Sequence, residues 1–482
     1  MSQKVRTRFA PSPTGYMHIG NLRTALFAYL YAKSNDGDFV LRIEDTDRNR
    51  YVEGATQVIY DTLKTAGIKH DEGPDIGGDF GPYIQSERKG MYKEYAEELV
   101  RNGQAYYCFC QKDDIREDGD NPQAGYNRKC RNLTTEEVEA NLAAGKPYVI
   151  RQRIPLEGST GWNDLVFGEI SVENNTLDDQ ILLKSDGMPT YNFANVIDDH
   201  LMGITHIIRG SEYLSSNPKY ILLYQAFGWD VPEYIHLPLI CGRGEDGTVS
   251  KLSKRHGAVS FQDLVSEGYL PSAIINYIAL LGWNPGTEQE IFTMEELSRL
   301  FGTDGIHKSP AIFDYQKLAW VNGEHMKKLD PGYFRDTAFP YSNLSGTALE
   351  AKWDHIASLM QSRIQKYSEI PAQIAFLKEM PEYDKELFLH KKNKSTFETS
   401  TEYIKMALEL IPTISDWTVD ALNEAFSALA ESHELKLGRL MWPIRIAVSG
   451  LMITPGSATD IMYLIGREES VVRLEAALSK LA

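Results

Sequence analysis

Two short segments, far apart in the chain, together carry the residue types that a nucleotide site needs. The first is Arg8-Phe-Ala-Pro-Ser-Pro-Thr-Gly-Tyr-Met-His-Ile-Gly-Asn21 and the second is Lys251-Leu-Ser-Lys-Arg-His-Gly257. The first predicts a strand, a proline-stiffened turn and a helix that opens at His18-Ile-Gly20. A helix N-terminus offers unpaired N–H groups and the positive end of a dipole, which suits phosphate. His18 can donate to a phosphate oxygen, and Gly20 lets the backbone approach a ligand closely. The second segment supplies Lys251 and Lys254 on a stretch flanked by Gly244, Gly247 and Gly257. It predicts a mobile cationic loop that closes over developing phosphate charge.

The elements that must position these residues are legible around them. Strand Val5–Ala10, helix Asn21–Lys33 and strand Phe39–Glu44 predict a βαβ unit, with Asn35-Asp-Gly37 as the helix stop. The ligand of such a parallel sheet lies at the carboxyl ends of its strands. Helical periodicity returns at 53–66 and 87–102. Residues 105–186 differ, with three of the four cysteines, polar loops such as Glu117-Asp-Gly-Asp-Asn-Pro122 and a strand over 149–154. They read as an insertion, after which strand 205–209 and helix 218–227 resume the sheet. From Tyr269 the apolar spacing is helical, and beyond Gly323 the chain is mostly helical, with pieces at 349–366, 401–411, 419–429 and 468–481.

The whole chain sets bounds on the site. Its 482 residues exceed one typical domain, and its 42% hydrophobic content is that of an ordinary globular protein. Four cysteines make no disulfide framework, the N-terminus lacks a signal-peptide core, and no apolar run spans a bilayer. A cytoplasmic monomer is expected. The net charge of −17 taken alone argues against a nucleic-acid binder, unless a local basic face exists.

At His18-Ile-Gly-Asn21 and Lys251-Leu-Ser-Lys-Arg255 the chain resembles the class I aminoacyl-tRNA synthetases, whose HIGH and KMSKS motifs these segments match. Within that class it resembles the bacterial glutamyl type. Arg42-Ile-Glu-Asp-Thr-Asp47, Gln85-Ser-Glu-Arg88, Ser185-Asp-Gly-Met-Pro-Thr-Tyr191, Val196-Ile-Asp-Asp-His200 and Ser309-Pro-Ala-Ile-Phe-Asp314 follow in the family's order. Asn21 stands where the broader motif has a second histidine, a departure common in the glutamyl type that bears on how that side chain would hold ATP and not on the activity. The resemblance implies an α/β chain. A Rossmann-type catalytic domain (1–104 and 187–245) holds an inserted acceptor-end domain (105–186). A KMSKS-type loop and stem-contact region (246–328) and an α-helical anticodon-binding region (329–482) follow. It implies ATP-dependent ligation of L-glutamate to the terminal adenosine of tRNA(Glu) through a glutamyl-adenylate. Mg²⁺ accompanies the ATP, and tRNA is needed before activation.

Site residues follow from chemistry and resemblance together. Arg8 and Arg209, each near the end of a predicted strand, can converge at the sheet's carboxyl edge, where guanidinium suits bidentate carboxylate recognition. Glu44, ending the second strand, is placed for an ammonium group. A buried ion network of these three is the structural alternative. The resemblance agrees on all three and adds Ser12, Tyr191 and Asn195 for glutamate. For ATP it implies Thr14, His18, Gly20, Glu212 and Lys254, and it points to Arg363 for an anticodon base. His18, Lys251 and Lys254 are the expected catalytic groups, their alternative being a helix cap and a solvated loop. Some members of the family bind zinc at a C-x-C…C-x-H pattern in the insertion. Here Cys108, Cys110 and Cys130 are present, Asn132 replaces the histidine, and Tyr126 is the remaining donor. Zinc prefers thiolate and imidazole, so three ordinary thiols is the reading preferred over a Zn²⁺ site. A nucleotidylyltransferase without tRNA and an inactive RNA-binding paralogue are the competing readings. The helical C-terminal region opposes the first, and intact Arg8, His18, Glu44, Lys251 and Lys254 oppose the second.

Overall fold

The computed structural model describes residues 4–46, 52–110, 126–257 and 259–482; Asp47 and the polar loop 117–122 lie outside the described residues. Two compact units emerge: Met1–Ser266 with Pro271–Val321, and Glu267–Leu270 with Asn322–Ala482.

The first unit begins with β1 (Arg6–Phe9), α1 (Ile19–Ser34) and β2 (Asp38–Leu41), and β1 and β2 pair in parallel. Ile19, Leu22, Leu26, Phe27 and Leu30 of α1 are fully buried, so this helix has a wide apolar face. Its stop is the expected one. Asn35 caps the helix, Gly37 N–H donates to the Ala32 carbonyl (2.8 Å), and a Cβ at Gly37 would stand 2.3 Å from the Val5 carbonyl oxygen. Only glycine fits there. β2 is shorter than predicted. It ends at Leu41, and Glu44 lies three residues beyond: Arg42 and Glu44 N–H still donate to the Phe9 and Pro11 carbonyls (3.0 Å each), but Pro11 has no N–H to return, so the ladder stops.

Helices α2 (Ala55–Thr65) and α3 (Lys89–Arg101) follow, then β3 (Ala105–Cys108), α4 (Thr135–Ala143), β4 (Val149–Gln152), β5 (Ser159–Asp164), β6 (Gly168–Glu173) and β7 (Ile181–Leu183). β3, β4 and β7 form an antiparallel sheet. The chain returns through α5 (Tyr191–Leu201), β8 (His206–Gly210), α6 (Asn217–Phe227) and β9 (Glu233–Leu237), with β8 and β9 parallel. The β5–β6 hairpin joins this sheet where Asp164 pairs with Tyr234. Against β3, β4 and β7, through Ala105, Ile150 and Leu182, packs a core of Tyr92 and Leu99 from α3, Phe193 and Ile197 from α5, and Leu223 from α6. Finally β10 (Ile240–Arg243) and β11 (Val249–Lys251) form a hairpin that ends on the first predicted lysine.

The second unit is helical, with Phe397–Leu410, Val419–Ser432, Leu437–Ser449, Ala458–Ile465 and Arg467–Leu481 packed on a core that includes Phe388, Ile404, Phe426, Leu440 and Leu474. The helix expected over 349–366 is shorter, Trp353–Met360. It closes when Arg363 N–H donates to the Met360 carbonyl (2.8 Å) in a tight last turn, an ending that apolar spacing does not encode. No helix among the described residues is long and apolar enough to cross a membrane.

Candidate active site

Backbone bonds bring the two motif segments together. Ile19 N–H donates to the Val259 carbonyl (2.9 Å) and Phe261 N–H to the Met17 carbonyl (3.1 Å), so the mouth of α1 is tied to the chain just after the lysines. His18 is the N-cap of α1: its Nδ1 accepts from Gly20 N–H at 3.0 Å. Gly20 eases this, since a Cβ there would stand 3.3 Å from Nδ1 and the ring would have to give by a few tenths of an ångström. The glycine thus serves a close approach by the histidine ring. Burial holds His18 below the usual 6.5, with Lys251 adding to the effect against a hydrogen bond to the Leu252 backbone. The imidazole is therefore neutral at pH 7, with its proton on Nε2. His18 is both the predicted cap and the predicted donor.

Lys251 closes β11, and its Nζ stands 3.2 Å from Glu212 Oε1. Lys254 opens a short 3-10 turn, Lys254–His256, braced where Ser253 N–H donates to His256 Nδ1 (3.1 Å). The loop thus has local structure, and Lys254 makes no ion pair among the described residues.

The amino-acid end is a layered charge array. Arg8 Nε contacts both oxygens of Asp199 at 3.1 Å, Arg42 Nη1 reaches Asp199 at 2.7 Å, and Arg42 Nη2 reaches Glu44 Oε1 at 3.0 Å. All four side chains are buried. Burial alone would raise the Asp199 pKa, but Arg8 and Arg42 outweigh it and hold the group below 3.8. Glu44 goes the other way: burial, helped by Asp199, pushes it above 4.5 against the pull of Arg42 and Arg8. Arg8 and Glu44 thus belong to the ion network named as the alternative, while still lining the cleft. Arg209 does not join it. Its Nη2 donates to the Tyr191 hydroxyl (3.1 Å), its plane lies over Tyr213 (4.2 Å) and Tyr220 (4.7 Å), and Nε and Nη1 have no partner. This buried guanidinium has no carboxylate among the described residues. Burial opposes its charge, but the surrounding tyrosine oxygens outweigh burial and keep it protonated.

One cleft of about 1130 Å³ gathers Arg8, Ser12, Thr14, His18, Gly20, Glu44, Tyr191, Arg209, Glu212, Lys251 and Lys254 on its wall. Asn195 is set behind that wall, its Nδ2 donating to the Tyr191 carbonyl (2.9 Å). Sequence reasoning gave no site role to Arg42, Asp199 or Arg23. The alternation Arg42-Ile-Glu44 puts two charged groups on one strand face, which was the available signal for Arg42. Asp199 lay within the quoted family segment 196–200 without a role assigned to it, and Arg23 sits on a helix and carries no comparable mark.

In the second unit Arg363 is exposed, its Nη1 donating to the Thr454 carbonyl (3.2 Å). Burial holds the pKa of Arg445 below the usual arginine value, and the positive charge of Arg363 adds to this. In the inserted segment, the sulfurs of Cys108, Cys110 and Cys130 lie within 4.8 Å of one another, with the Tyr126 hydroxyl 3.2 Å from Cys108 Sγ. Cys110 and Cys130 are 3.4 Å apart. Three sulfurs and one oxygen at these spacings fit a tetrahedral Zn²⁺.

Comparison with known proteins places this geometry. Residues 4–320 match the family described as tRNA synthetases class I (E and Q), catalytic domain, and residues 329–478 match an anticodon binding domain. A glutamate–tRNA ligase of Clostridium botulinum (strain Eklund 17B) is 54% identical over 100% of this chain and 99% of its own, and that of Clostridium tetani is 53% identical over 99% and 98%. The crystal structure of a glutamate tRNA ligase from Elizabethkingia meningosepticum, solved with its amino acid, superposes with a TM-score of 0.86. It is 37% identical, and each chain is covered in full. With catalytic and anticodon-binding parts both matched and relatives aligned end to end, the chain belongs to the glutamate–tRNA ligases of the class I tRNA synthetases.

Proposed function

We propose that the cleft joins L-glutamate to the terminal adenosine of tRNA(Glu). The α-carboxylate oxygen of glutamate attacks the α-phosphorus of ATP, and pyrophosphate leaves with the electrons of the broken P–O bond. A hydroxyl of the terminal ribose then attacks the acyl carbon and AMP departs. The protein's task is to hold two anions together and to stabilise the charge that develops between them. The N–H groups at the start of α1 and His18 Nε2–H, exchanging the Leu252 backbone for a phosphate oxygen, serve one side of the phosphates, and Lys251 and Lys254 serve the other. Glu44 and Glu212 are each tied to a cation, Arg42 and Lys251. Mg²⁺ bound with the nucleotide would neutralise phosphate charge, and with these acids engaged it would be held chiefly through the phosphates. The three cysteines and Tyr126 would hold zinc away from the chemistry, as a structural ion. Arg363 and Arg445 offer positive charge for RNA within an acidic protein.

The observation that carries the choice of amino acid is Arg209. Around Arg8, Arg42, Asp199 and Glu44 positive and negative groups alternate, whereas Arg209 presents two unpartnered buried donors with no acid. A side-chain carboxylate completes it; a neutral amide would leave the charge uncompensated. Glutamate-dependent exchange of labelled pyrophosphate into ATP, with and without tRNA, tests the reading. Exchange that needs tRNA supports it, and absence of exchange in both conditions refutes it. Arg209→Met should raise the KM for glutamate by ~10²-fold or more, since one partner of a buried charge pair is lost. The KM for ATP should hold, and an unchanged glutamate KM would remove Arg209 from the site.

A further inference from the structure

A second buried guanidinium without a carboxylate lies on the nucleotide side of the same cleft. Arg23 stands in the second turn of α1, five residues and ~7.5 Å of helix rise past His18. Its side chain is 3% exposed and lines the cleft. Nη1 donates to the Leu281 carbonyl (3.0 Å), Nη2 donates to the Pro238 carbonyl, and Nε has no partner. No Asp or Glu of the described residues pairs with it, and Glu212, the acid whose charge it feels, is engaged by Lys251. Burial pushes its pKa down to about 10, which leaves it protonated at pH 7.

Both carbonyls matter for what Arg23 fastens. Pro238 precedes β10, which pairs with β11 and so carries Lys251. Leu281 precedes Gly282, where a Cβ would meet Pro238 Cγ at 3.1 Å and Arg23 Nη1 at 3.5 Å. Arg23 therefore ties the helix behind His18 to the hairpin behind the lysines, the two walls of the nucleotide site. A neutral donor such as a glutamine amide could tie backbone carbonyls. The positive charge is in excess of that need, and burying it uncompensated is unfavourable unless something anionic arrives. In a water-poor cleft such a fixed charge acts strongly on phosphate.

Resting on the reading of the cleft as an ATP site, we infer that Arg23 is an electrostatic positioning residue for the triphosphate. It sets the spacing of the two walls and contributes a standing positive charge to the phosphate end. Its effect should grow with the number of phosphates. In Arg23→Gln, the full chain should show kcat/KM for ATP reduced by ~10–10²-fold in tRNA-dependent pyrophosphate exchange, with the KM for glutamate within ~2-fold of wild type. The affinity for ATP should fall by ~10-fold and that for AMP clearly less, both read by titration calorimetry. Arg23→Lys, which keeps the charge, should recover most of the loss. Equal weakening of ATP and AMP with no recovery in Arg23→Lys would show a purely structural tie and overturn the inference. So would wild-type kinetics in Arg23→Gln. Thermal melting of each variant separates misfolding from either outcome, and the wild-type exchange control reports separately on the ATP reading itself.

Discussion

At the scale of single residues, the cleft works by giving each polar group one defined state. His18 shows how. Its Nδ1 is committed as acceptor of Gly20 N–H, so the ring's proton sits on Nε2 and a second proton could be added only by breaking the cap. Burial, with Lys251 adding to it, outweighs the hydrogen bond to the Leu252 backbone, so the folded pKa lies below the unfolded 6.5. The sign follows. The unfolded chain binds the extra proton first, so this group's contribution to stability is fully present above pH 6.5 and is lost as pH falls through 6.5 toward the folded value. Nitrogen-detected NMR of the histidines should show His18 as the Nε2–H tautomer at pH 7, titrating below 6.5. A midpoint above 6.5 would contradict both the cap and the neutral donor.

At the scale of elements, the parts that the sequence made legible are those where a local rule is decisive. The stop at Asn35-Asp-Gly37 is local chemistry, and so is the opening of α1 at His18. The carboxyl-edge placement of Arg8 and Arg209 follows from strand position alone. What stayed hidden is pairing. That Asp199 of α5 would answer both Arg8 and Arg42, or that Arg23 of α1 would find only carbonyls, depends on which helix packs behind which strand. The cysteines are the clearest case of this. Spacing alone counselled three ordinary thiols, because Asn132 replaces a ligand. The end of β3 and the turn Lys129–Asn132 nevertheless bring all three sulfurs together, with Tyr126 in the fourth direction. Without a metal, burial and the Cys130 hydrogen bond push the Cys110 thiol up to about 12, and a bound cation would reverse that. Protein purified without chelator should carry about one zinc per chain. Cys110→Ser should lose most of it and speed amide exchange in β3 without abolishing pyrophosphate exchange. Metal analysis showing well under one zinc per several chains would restore the reading of ordinary thiols.

At the scale of the whole molecule, the chain divides into two compact units, each with buried apolar residues of its own. In the first they include those of α3, α5 and α6 against β3, β4 and β7, in the second Phe388, Ile404, Phe426 and Leu440 among the C-terminal helices. A buried charge that serves the cleft should therefore be felt in the first unit alone. Asp199 is the strongest test, because it is fully buried and satisfies two arginines at once. In Asp199→Asn both guanidinium groups remain but their shared negative charge is gone. Stranding a buried charge in this way costs ~3–5 kcal/mol. Two cores of this kind predict that urea unfolding is not a single transition. Asp199→Asn should lower the midpoint of the one that includes residues 1–266 and leave the other in place. Site-specific reporters make this readable: amide exchange in β1 and α5 for the first unit, and in Phe397–Leu410 for the second. A loss of protection shared equally by both would mean that the fold answers as one body, and an unshifted first transition would mean that Asp199 is not the counter-ion on which Arg8 and Arg42 depend.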